Sequence, residues 1–128
     1  MSPTFTNFPT MITIYTVGVA LYITAYYEAD PRKKKRLQLL AKLYPEVAPT
    51  NDKYIVEALM ECLELALRDD WQPLLKQMKG VFHYKGEDLY VGVKQLFQWL
   101  RQCWKKTVKG TLKDDCLEVK GTDLHLSF

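Results

Sequence analysis

Between Met11 and Tyr27 the chain carries no charge, and five cations, Arg32-Lys33-Lys34-Lys35-Arg36, follow almost at once. A segment of that kind has two stable homes. One is a bilayer, where a basic run marks the cytoplasmic side of a span. The other is the interior of a folded domain. A span wants about 20 apolar residues, whereas this run has 17, and Thr, Tyr and Gly fill eight of them. A secretory leader fits no better, because no cation precedes the run and no small-residue cleavage site follows it. The expectation is a buried element. Its β-branched residues favour a strand, while its length and the Tyr15/Val19/Tyr22/Tyr26 spacing favour a helix from about Thr10 to Ala29.

The rest of the chain is compatible with one domain folded around that element. At 128 residues, with 48% hydrophobic and 26% charged side chains, it has the size and composition of a single globular domain, 1–128. Cys62, Cys103 and Cys116 match neither a disulfide framework nor a zinc spacing. They read as reduced thiols, so an intracellular, cytoplasmic setting is expected. The lead-in, residues 1–10, is uncharged and contains Pro3 and Pro9.

Helix punctuation is clear downstream. Asp30-Pro31 reads as an N-cap with proline at the first helical position, predicting a helix to about Tyr44 that stops before Pro45. Asn51 or Asp52 caps a second helix to about Arg68, apolar around most of its circumference and therefore central in a bundle. A short helix is expected over Trp71–Lys79, then an extended connector, Val81 to Tyr84, bounded by Gly86. Glu87 to about Thr107 is the longest amphipathic helix, with Leu89, Val93, Leu96, Leu100 and Cys103 along one face. After Gly110 the pattern alternates. Leu117 and Val119, then Leu124, Leu126 and Phe128, predict a hairpin over about 112–128. The expected architecture is mainly α (α+β): a four- to five-helix bundle over about 10–107 with a small C-terminal β-hairpin.

The formal net charge of +3 conceals large opposing terms. By segment the net charges are −2 for residues 1–30, +5 for 31–53, −4 for 54–72, +6 for 73–109 and −2 for 110–128. Cations in the first turns of a helix oppose its dipole, so Arg32, Lys33, Lys34, Lys35 and Arg36 break a local rule with no visible compensation. Together with the free N–H groups of a helix start they suit an anion such as phosphate. Lys94, Gln98, Arg101 and Lys105 form a stripe on the long helix, which Lys106 and Lys109 extend. Trp99 projects off the main apolar face, either at the edge of the core or as a platform for stacking on a base. Glu57, Glu61 and Glu64 make an acidic ridge suited to docking a basic helix of this chain or another. No His stands three residues after any of these glutamates, so a di-metal bundle site is not expected.

No catalytic set, P-loop or dinucleotide motif is present in the sequence, and no cofactor is expected. His83 and His125 lack a nucleophile beside them. The reading that follows is a small non-enzymatic nucleic-acid-binding subunit of a larger assembly, touching backbone phosphates through the two basic surfaces. The alternative is a protein-interaction or oligomerisation module that uses the acidic and basic patches. A third, single-span anchoring through Met11–Tyr27, has the length against it.

Overall fold

The computed structural model describes residues 13–84 and 86–108, with side chains as far as Trp104. Five helices appear in the order α1 (Ile14–Tyr26), α2 (Pro31–Val47), α3 (Asp52–Ala66), α4 (Trp71–Gln77) and α5 (Tyr90–Val108). Two short strands, β1 (His83–Tyr84) and β2 (Glu87–Asp88), lie between α4 and α5. The molecule is a helical bundle with a small two-stranded antiparallel sheet.

The charge-free run is a helix. Thr13 caps it, its hydroxyl oxygen accepting the Thr16 N–H at 3.3 Å. With 13 residues α1 is about 20 Å long, short of the ~30 Å hydrocarbon core of a bilayer. Among the described residues no helix is long and apolar enough to cross a membrane. Instead α1 packs against α2, α3 and α5, burying Val17, Ala20, Leu21, Ile23 and Ala25. Its buried Thr24 is satisfied locally, donating to the Ala20 carbonyl at 2.8 Å. The broadly apolar α3 also meets α1, α2 and α5, so the two helices share the centre.

Capping explains most boundaries. Asp30 Oδ1 accepts the Arg32 N–H at 3.1 Å, and Asn51 Oδ1 accepts the Lys53 N–H at 2.8 Å, closing two otherwise orphaned helix starts. At Pro45 the expected stop does not occur: α2 runs to Val47 and closes through a 3-10 turn over Ala48–Thr50. Proline removes the bond to the Ala41 carbonyl and crowds it, but Tyr44 and Ala48, both buried, hold the backbone on course across it.

Among the described residues a sheet forms in the connector between α4 and α5. It is internal, pairing His83 with Asp88 and Tyr84 with Glu87. Gly86 makes this turn possible at φ +85, a conformation that costs other residues about 1–2 kcal/mol. Consequently α5 starts at Tyr90, where Asp88 Oδ1 accepts the N–H at 2.9 Å, and not at Glu87. The expected hairpin over 112–128 lies outside the described residues.

Tyr44 and Cys62 sit together in the core. Burial pushes the Cys62 thiol up to about 12 from an ordinary 9.0, and raises the Tyr44 phenol from 10.0. The folded state thus keeps both protons at a pH where the unfolded chain releases them. Stability is therefore full below about pH 9 and falls as pH rises above it. Among the described residues the Tyr44 hydroxyl has no hydrogen-bond partner, so Tyr44→Phe is expected to stabilise the fold by about 1 kcal/mol at neutral pH. Urea denaturation repeated at alkaline pH should also show a shallower loss for this variant above about pH 10. A steeper loss would contradict the burial of that phenol.

Candidate functional site

The five-cation run on α2 does not act as one cluster. At 100° per residue Lys33 and Arg36 fall toward α3, where the ridge Glu57, Glu61, Glu64 lies. Lys33 Nζ is 3.3 Å from Glu64 and 3.6 Å from Glu28, and Arg36 donates to Glu61. Burial lowers the Lys33 ammonium, but the Glu64 hydrogen bond and the surrounding carboxylates more than reverse that, and its net shift is upward. The Glu61 bond likewise raises the Arg36 guanidinium. Lys34 turns the other way, donating to the Tyr26 carbonyl at 3.4 Å with its ammonium 5.9 Å from the Tyr26 ring centre. The acidic ridge thus docks a basic helix of its own chain. It also supplies the compensation that cations in the first turns of α2 need.

Arg32 and Lys35 are exposed and make no ion pair among the described residues. They share the outward face of α2 with Leu39, Lys42 and Leu43, all five within about 100° of one another on a helix of 3.6 residues per turn. Leu39 is 58% exposed and Leu43 is 37% exposed. The buried residues Leu37 and Tyr44 occupy the opposite side. By spacing alone Leu37, Leu40, Leu43 and Tyr44 would form one apolar face on this helix. Leu40 does pack on the core, whereas Leu43 and its neighbour Leu39 point out. The signal was the i, i+4 spacing of the two leucines, which carries them away from Leu37.

The second basic surface is also divided. Arg101 Nη1 donates to the Ala66 and Arg68 carbonyls, each at 3.2 Å, and Nη2 lies 3.4 Å from Asp69 Oδ1. This guanidinium closes the C-terminal end of α3, whose last carbonyls lack helical partners. Gln98 is exposed and Lys94 is half-buried. Trp99 is 8% exposed, its indole within the core, which is the edge-of-core alternative and leaves little ring face for a base. The side chains of Lys105 and Lys106, and all of Lys109, lie outside the described residues. Moreover, α2 and α5 pack on α1 and α3 and not closely on each other, so the two basic segments are not adjoining strips.

His83 is exposed on β1, and His125 and Cys116 are outside the described residues. Cys62 is a buried free thiol, and Cys103 is buried. Among the described residues no group of three His, Cys, Asp or Glu side chains converges as a metal site.

No protein-family model, curated protein or solved structure matches this chain.

Arg101 and Lys94 share one stripe but differ in what they touch, and substitution separates them. Arg101→Ala is expected to cost about 1–2 kcal/mol, through two lost charge-assisted bonds to carbonyls. Lys94→Ala should stay within about 0.5 kcal/mol. Chemical denaturation of both variants checks this; equal effects would contradict a capping role for Arg101.

Proposed function

We propose that this chain is a protein-interaction module that docks an acidic, amphipathic helix of a partner on the outward face of α2. The observation that carries the reading is the pairing of exposed Leu39 and Leu43 with Arg32, Lys35 and Lys42, three cations that have no ion-pair partner among the described residues. An amphipathic helix engages a surface through residues at i, i+3, i+4 and i+7 spacing. One with leucines on its inner stripe and carboxylates on the flanks would use all five side chains. Its carboxylates would meet the unpaired cations, which favours encounter and register.

Nucleic acid remains the second reading, supported by Arg32, Lys35 and Lys42 as exposed cations without an ion pair among the described residues. A phosphate backbone rewards those three but leaves both leucines in water. Lys33 and Arg36, already held by carboxylates, would have to exchange partners to join in. The protein reading therefore uses more of what the surface offers.

A direct comparison tests it. The full chain is titrated with a labelled acidic amphipathic helical peptide and with labelled single- and double-stranded nucleic acid at two salt concentrations. The peptide is expected to bind with a modest salt dependence, and Leu39→Glu with Leu43→Glu to weaken it by about 100-fold or more, since each change buries a charge against an apolar stripe. Tighter binding to nucleic acid, falling steeply with salt as counterion release demands and indifferent to the leucine changes, would overturn the proposal in favour of the phosphate reading.

A further inference from the structure

On the other side of α2 a cleft runs between α1 and the hairpin, and it has two unlike halves. They meet at Tyr15 and Tyr84, whose rings stack at 4.1 Å with an interplanar angle of 17°. One half, about 340 Å³, has no charged side chain in its lining among the described residues and presents Tyr22 and Pro45. The other, about 430 Å³, contains Glu87 and Asp88. Each volume is in the range of small ligand pockets. Glu87 makes no ion pair among the described residues, and Asp88 uses one oxygen to cap α5. Tyr22 is 49% exposed, a large aromatic left facing the cleft at some cost in hydration.

We infer that this cleft binds an extended, proline-bearing peptide segment of a partner protein, with a lysine or arginine placed at its acidic end. The reasoning is geometric and electrostatic. A polyproline II segment has three residues per turn and about 3.1 Å rise, so same-face residues recur about 9 Å apart and can fall on either side of a ridge such as the stacked tyrosines. Its carbonyls are solvated and its conformation is already restricted, so little entropy is lost on docking into an aromatic groove. The uncharged half takes prolines against Tyr22 and Pro45. The Glu87 and Asp88 carboxylates, which make no ion pair among the described residues, then fix polarity by receiving the basic side chain. The hairpin's left-handed Gly86 and the hydrogen bond from Leu89 N–H to the Phe82 carbonyl fix the strands that carry Tyr84 and Glu87.

This site is separate from Leu39 and Leu43, so its fate does not depend on the α2 docking surface. The test uses the full chain and a fluorescein-labelled peptide with two prolines three residues apart followed by arginine. Saturable binding below about 1 mM is expected, with loss when the prolines are replaced by glycine. Tyr22→Ala should weaken binding about tenfold or more, as the loss of one aromatic contact predicts. Glu87→Gln should weaken it about threefold and reduce its salt dependence. Both side chains are exposed, and a thermal melt confirms that each variant is folded. Leu39→Glu with Leu43→Glu should leave this binding unchanged. No saturation, equal affinity for the glycine peptide, indifference to Tyr22→Ala, or loss on changing the leucines would each overturn the proposal.

Discussion

Burial of α1 is the constraint on which the rest of the molecule depends. A charge-free helix of this length cannot sit on a water-exposed rim without exposing most of its apolar surface, so α2, α3 and α5 gather around it. That arrangement brings the start of α2 beside α3, and so sets part of the basic run against the acidic ridge. The ion pairs are a consequence of the packing more than its cause, because exposed pairs contribute only about 0.2–1 kcal/mol each. Their larger effect is to choose which cations remain available. Lys33 and Arg36 turn inward to the ridge, Lys34 folds back onto α1, and Arg32 and Lys35 are left facing out.

The same division accounts for the functional reading. A basic run seen along the chain suggests one anion site, but a helix distributes consecutive residues around its axis. What reaches solvent on the outer face of α2 is a mixture of cations and leucines, and that mixture suits an acidic helix better than a phosphate backbone. On α5, Arg101 is held by the carbonyls at the end of α3, so its charge serves the fold.

Where the sequence was legible, a local physical rule decided the outcome. Asp30-Pro31 and Asn51 closed helix starts through their own side chains, and the 4-3-4-3 spacing of α5 put Val93, Leu96, Leu100 and Cys103 in the core. Where it was not, a tertiary contact outweighed the local rule. Pro45 should end a helix, yet buried Tyr44 and Ala48 carry α2 beyond it. Gly86 marked the end of a connector, but pairing of Tyr84 with Glu87 across it required knowing that the strands return on each other. The acidic ridge and the basic run were both visible, and docking within one chain was one of two options. Only the relative placement of α2 and α3 selects it. The aromatic cleft had no sequence signal, since Tyr15 and Tyr84 lie 69 positions apart and neither belongs to a recognisable motif.

The central claim is that α3 partitions the basic run by pairing with its inward-facing members. A double-mutant charge swap at Arg36 and Glu61 tests it most directly. Arg36→Glu and Glu61→Arg should each destabilise the fold by about 1 kcal/mol, and together they should restore at least half of the summed loss, a coupling of about 1–2 kcal/mol in urea melts at low salt. Simple additivity of the two changes would mean that these side chains do not meet, and the division of the basic run between fold and surface would be wrong.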